Sequence, residues 1–186
     1  ETVVILGCGQ RGLTSVIAAK EAGAARVIVT GLTADGFKME VAGALGADVT
    51  IDVERQNTIS AVREATGGDM ADVVVDVTSG ATQPVSDALD LARPGGRIVL
   101  AGGKYGPVPE FDSRKIMSKE LTIMGALAVD YDSYEAAIRI IESRKYPLEL
   151  MHTHTLPLAK AERALLILGN EVPGEHGIHL SIEPNG

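Results

Sequence analysis

The residues with the clearest chemical reading are Gly7-Cys8-Gly9-Gln10-Arg11-Gly12, a G-x-G-x-x-G run. They follow an apolar stretch, Thr2–Leu6, and open a segment with helical periodicity. In that setting such a loop holds a pyrophosphate. Gly7 permits the tight turn, Gly9 lets an anion approach bare backbone, and Gly12 lets the helix pack close to the strand. Unpaired N–H groups and the positive end of the helix dipole then hold the anion, with Gln10 and Arg11 in the first turn.

A dinucleotide needs further contacts, and the sequence supplies only some of them. A carboxylate at the end of the second strand would accept the ribose 2′-OH of NAD. Here that strand ends at Thr30-Gly31, and the nearest acid and cation are Asp35 and Lys38. Lys38 is a candidate ligand for the 2′-phosphate of NADP, against the alternative of a solvated helix-face lysine. The choice between NAD and NADP stays open at this point. Ligands of open parallel sheets lie beyond the carboxyl ends of the strands. That places Thr78-Ser79-Gly80 and Gly102-Gly103 near the ribose and nicotinamide, with Thr78, Ser79, Gly102 and Gly103 as the candidate contacts.

The elements that position these residues alternate in type. Strand patterns fall at Thr2–Leu6, Arg26–Thr30, Val49–Asp52, Asp72–Val77, Arg97–Ala101 and Leu121–Gly125. Helical patterns fall at about 10–22, 36–45, 57–65 and 83–92, several of them closed by glycine. Strands alternating with helices of about three turns predict an α/β fold, a doubly wound six-stranded parallel sheet of order 3-2-1-4-5-6. The division expected is a dinucleotide-binding domain over residues 1–146 and a separate C-terminal segment over 147–186. That segment shows a strand at Leu148–Leu156, a helix at about 159–168 and a strand at Gly177–Ile182. With the six-stranded sheet already complete, these two strands have no evident partner in the chain, and an unpaired edge is a liability. The expectation is that they return to a domain outside the chain; a small hairpin covering the sheet edge is the alternative.

With these segments in place the chain resembles the coenzyme-binding domain of the zinc-dependent medium-chain dehydrogenases/reductases, the alcohol, sorbitol and threonine dehydrogenase family. The segments that carry the resemblance are VVILGCGQRGLTSVIAAKEAGAARVIV, ALGADVTID, DVVVDVTSG, LARPGGRIVLAGG, KELTIMGA and HTLPLAKAERALLIL followed by IHLSIEP. The resemblance implies hydride transfer between a nicotinamide cofactor, NAD or NADP, and an alcohol or polyol. It implies a catalytic domain preceding Glu1 that carries the zinc ligands, and a homodimer formed through Leu121–Gly125. The chain then holds no catalytic residue and no metal ligand of its own and is inactive alone. Two departures stand out: Arg11 replaces a small aliphatic residue, and Gly31 replaces the strand-two acid. His152 and His154 would share a face by strand alternation and are read as surface or interdomain histidines rather than ligands.

Composition agrees with this reading and excludes others. Of 186 residues 45% are apolar, enough for a core. A net charge of −8, from 17 basic and 25 acidic residues, argues against nucleic acid or an anionic membrane as partner. No apolar run reaches membrane-spanning length. A single cysteine excludes a disulfide framework and fits the cytoplasm. Two other readings remain: a zinc-free quinone or enoyl reductase of the same superfamily, and a non-catalytic nucleotide-sensing domain, which a self-paired tail would suit.

Overall fold

A computed structural model describes residues 1–109 and 111–184. The chain divides into two compact units, Glu1–Tyr134 and Glu135–Gly186.

In the first unit the apolar runs become parallel strands. These are β1 (Thr2–Leu6), β2 (Arg26–Gly31), β3 (Val49–Asp52), β4 (Ala71–Asp76), β5 (Ala92–Leu100) and β6 (Thr122–Gly125). They form one sheet of order β3-β2-β1-β4-β5-β6. The connecting helices are α1 (Gln10–Glu21), α2 (Gly36–Ala44), α3 (Thr58–Ala65) and α4 (Gln83–Leu91), with a short α5 (Arg114–Ser118) before β6. Because side chains alternate along a strand, each strand serves two layers. Val4, Leu6, Ile28, Ile51, Val74 and Ile98 form one core with Val62 of α3 and Ala88, Leu89 and Leu91 of α4. Val3, Ile5, Val27 and Val29 face the other way, toward Leu13, Val16 and Ile17 of α1 and Val41 of α2. Each fully buried Ile or Leu here contributes about 1.5–3 kcal/mol relative to an exposed one.

Local rules set the element ends. Asn57 caps α3, its side-chain oxygen accepting the Ser60 N–H at 2.9 Å. Lys119 caps the other end of α4: its Nζ donates to the carbonyls of Leu89, Asp90 and Ala92 at 2.7, 3.0 and 2.6 Å. Burial lowers the pKa of that ammonium. Arg93-Pro94-Gly95-Gly96 reads in sequence as the stop between α4 and β5. The structure instead starts β5 at Ala92, paired with Ala71, and the register then slips so that Val73 meets Arg97. The Pro-Gly-Gly stretch is thus an irregularity within the strand rather than a break before it, which suits proline's missing donor.

The second unit corrects the expectation of partnerless tail strands. β7 (His152–Pro157) and β8 (His179–Glu183) pair with each other, in parallel, with α7 (Ala161–Leu168) between them. The arrangement is a small βαβ unit and not a hairpin. Residues 148–151, expected to begin the strand, form a 3₁₀ turn. Ala164 and Ile167 of α7 are buried, while Leu165, Leu166 and Leu168 are exposed. α6 (Tyr131–Ser143) runs across the boundary of the units and has no buried side chain.

Candidate cofactor site

The phosphate loop is shaped by close approaches that only glycine allows. Gly7 has φ +104°, a left-handed conformation, and its N–H donates to Thr30 Oγ1 at 3.2 Å. A Cβ on Gly12 would lie 1.9 Å from the carbonyl oxygen of Gly7, so α1 begins pressed against the turn. Gly9 differs: nothing lies within 4 Å of where its Cβ would be. It precedes α1 with no side-chain cap and no acid in the first turn. The amino end of α1 thus faces open space beside bare backbone, as a pyrophosphate requires. Gln10 and Arg11 are both exposed there.

The missing strand-two acid has a packing explanation. A Cβ at Gly31 would sit 2.5 Å from Cys8 Sγ and 3.2 Å from Met39. Cys8, inside the glycine loop, occupies the room a carboxylate would need. Burial, reinforced by the negative charge of Asp35, pushes the Cys8 thiol up to about 12. Lys38 does not project into solvent. It is 8% exposed, and its Nζ pairs with Asp35 Oδ1 at 2.8 Å. Asp35 Oδ2 also accepts the Leu32 N–H at 3.2 Å. The acid and cation that the sequence leaves as separate candidates are therefore one ion pair beside the loop.

Across the strand-order reversal between β1 and β4, the ends of β4 and β5 are joined through Thr78. Its N–H and hydroxyl both donate to Asp76 Oδ1, at 2.9 and 2.6 Å. Lys104 Nζ donates to the Thr78 carbonyl and hydroxyl, each at 2.7 Å. The same ammonium lies 2.8 Å from Asp76 Oδ2 as an ion pair, and no donor is aligned on that oxygen as a hydrogen bond. Asp76 is fully buried. A Cβ on Gly102 would stand 2.0 Å from the Thr78 carbonyl oxygen, and one on Gly7 would stand 3.0 Å from Thr78 Cγ2. The Gly80 N–H donates to the Gly103 carbonyl at 2.9 Å. Ser79 and Gly103 are exposed at this rim.

Sequence reasoning names Thr78 and Gly102 but misses Asp76 and Lys104. One signal was present: an acid inside the apolar run VVVDV is out of place unless paired. The histidines fall differently from expectation. A bulge between His152 and His154 shifts the alternation by one residue. His152 Nε2 consequently shares its neighbourhood with Ser181 (2.9 Å) and Thr155, whereas His154 Nε2 lies 3.7 Å from Glu175. Among the described residues no group of three or more His, Cys, Asp or Glu is placed to hold a metal ion. The donors a catalytic zinc requires are not found among them. A hollow of about 390 Å³ lies along α1 beside Glu1, Gly23 and Arg97 at the amino end of the sheet, away from these loops.

Strand order, glycine loop and open helix end define a dinucleotide-binding domain of the Rossmann type. Residues 12–143 match the family model described as zinc-binding dehydrogenase, and the chain belongs to that family. It is 40% identical over 187 aligned positions to a probable alcohol dehydrogenase of Mycobacterium tuberculosis, covering 99% of this chain and 51% of that protein. It is 34% identical to an erythritol/L-threitol dehydrogenase of Mycolicibacterium smegmatis, covering 99% of this chain and 49% of the relative. Among solved structures, an alcohol dehydrogenase of Escherichia coli CFT073 complexed with NADH superposes with a TM-score of 0.81 at 25% identity, covering 97% of this chain and 51% of the other. The chain spans about half the length of these relatives and corresponds to the cofactor-binding half of their fold.

Proposed function

We propose that this chain binds NAD or NADP and orients it for hydride transfer between the nicotinamide and an alcohol or polyol. The observation that carries the reading is the open space at Gly9, at the uncapped start of α1, between tightly packed Gly7 and Gly12. In this assignment Gly7, Gly9, Gln10, Arg11 and Gly12 hold the pyrophosphate. Gly31 and Lys38 flank the adenosine ribose, and Thr78, Ser79, Gly102 and Gly103 border the nicotinamide end. When bound, the cofactor supplies the hydride acceptor or donor; the chain's own residues bind it, turn it and exclude water around it.

Alcohol turnover belongs to a protein in which this domain works with a catalytic domain that supplies the zinc ligands. The 147–186 segment then packs on that domain, and the exposed leucines of α7 suit such a cover. A homodimer through the β6 edge, where Met124 is exposed, completes the assembly, and the setting is the cytoplasm. No helix among the described residues is long and apolar enough to cross a membrane. A nucleotide-sensing reading draws on the mutual pairing of β7 and β8. The dehydrogenase relatives weigh against it.

The test is calorimetric titration of the chain with NAD⁺ and NADP⁺, for wild type and Lys38→Ala. One dinucleotide binds per chain, and no alcohol is oxidised by the chain alone. Failure of both cofactors to bind overturns the reading.

A further inference from the structure

We infer that Lys104 is a positioning residue for the nicotinamide end of the cofactor, acting through Thr78; this rests on the cofactor-binding reading above. The Lys104 ammonium donates to the Thr78 carbonyl and the Thr78 hydroxyl and lies 2.8 Å from the buried Asp76 carboxylate as an ion pair. Those contacts fix a residue that touches both loops. Thr78 meets Gly102 on the β5 side, where a Cβ would stand 2.0 Å from the Thr78 carbonyl oxygen, and Gly7 on the phosphate-loop side, where a Cβ would stand 3.0 Å from the Thr78 methyl group. The Gly80–Gly103 hydrogen bond and the bridge between Gly80 and Lys104 add a second link between the loops.

Stability alone does not account for the pair. β4 and β5 are already held by ladder pairs from Val73–Arg97 to Asp76–Leu100. A buried ion pair is weak evidence for stability, because apolar residues of similar volume often replace it without loss. What an ion pair at this place does supply is a fixed geometry at the carboxyl ends of the strands, beside the reversal where a dinucleotide crosses the sheet. Locking the Thr78 backbone holds the rims around Ser79 and Gly103 in one arrangement before the ligand arrives. Preorganisation of this kind raises affinity by removing an ordering cost from binding. The contribution should fall on the part of the ligand that reaches these rims and not on the pyrophosphate held by α1.

The experiment separates the two halves of the ligand. Wild type, Lys104→Met, Lys104→Gln and Lys104→Arg are titrated with the tighter-binding of NAD⁺ and NADP⁺, and with ADP-ribose or its 2′-phosphate to match. The second probe keeps the pyrophosphate and lacks the nicotinamide. Lys104→Met is expected to weaken the dinucleotide about tenfold and the ADP-ribose probe by less than about twofold, and Lys104→Arg to restore most of the difference. Equal losses for both probes, or no loss for the dinucleotide, overturn the proposal. Circular dichroism and denaturant melts report folding. Should Lys104→Met not fold, Lys104→Gln decides by the same split, because it removes the charge and keeps a polar group. If wild type binds neither probe, the cofactor-binding reading itself falls, a result distinct from wild-type binding without the split.

Discussion

The two rims of the candidate site are closed by opposite means. At the end of β1 the chain removes side chains: Gly12 lies against the Gly7 carbonyl and Gly31 lies against Cys8, so shape is set by contact. At the ends of β4 and β5 it adds charge, with Asp76, Lys104 and the polar atoms of Thr78 set by electrostatics in a dry setting. The difference reflects what each rim faces. An anion over a helix start needs open backbone N–H groups, and any side chain is an obstacle. A rim built from two separate loops needs something to join them, and Lys104 does so through its two hydrogen bonds to Thr78 and its charge beside Asp76.

The largest expected effect tests the charged rim. Asp76→Ala leaves the Lys104 ammonium without its carboxylate in a site where the lysine side chain is 12% exposed. Removing one partner of such a pair costs about 3 kcal/mol or more, which a urea titration of wild type and variant measures. A change below about 0.5 kcal/mol would show that this rim, too, is held by packing alone.

The glycine rim should respond less in stability and more in binding. Gly12→Ala forces a methyl group to within 1.9 Å of the Gly7 carbonyl, and overpacking of this kind costs about 1–3 kcal/mol with dinucleotide affinity lost. Gly9→Ala, placed where nothing lies within 4 Å, should stay within about 0.5 kcal/mol of wild type in a melt while still weakening the dinucleotide in calorimetry. Equal destabilisation by the two substitutions would erase the distinction between a packed glycine and an open one.

A further effect is confined to alkaline pH. In the folded chain the Cys8 thiol keeps its proton up to about pH 12, against an ordinary value of 9.0 for the unfolded chain. Between those values the unfolded state has released a proton that the folded state retains. Stability therefore falls as pH rises, by about 1.4 kcal/mol per pH unit from this group. Wild type should lose more stability than Cys8→Ala between pH 9 and pH 11 in parallel urea melts. Identical slopes would place the thiol in contact with solvent.

Much of this was readable from residue order, and the remainder shows where order stops informing. Strand order followed from buried runs alternating with helices, because a parallel sheet needs crossovers and both faces covered. The glycine loop was recognisable because its residues are contiguous. The Asp76–Lys104 pair was not, since 28 positions separate the two and only the β4–β5 crossover brings them together. Gly31 looked like a lost acid in sequence; its cause, the Cys8 sulfur, became visible only in three dimensions. The bulge at Thr153 was invisible for a related reason: alternation assumes an unbroken ladder, and one extra residue inverts it.

The contact between Cys8 and Gly31 also makes the chain its own reporter. Cys8 is the one sulfhydryl in the sequence, and it is 2% exposed in the phosphate loop. A thiol reagent can reach it only when that loop opens, so the labelling rate in excess reagent measures an opening equilibrium at one defined point. Protection factors read with and without dinucleotide then give the free energy with which a ligand clamps the loop, from the unaltered sequence and without an introduced probe.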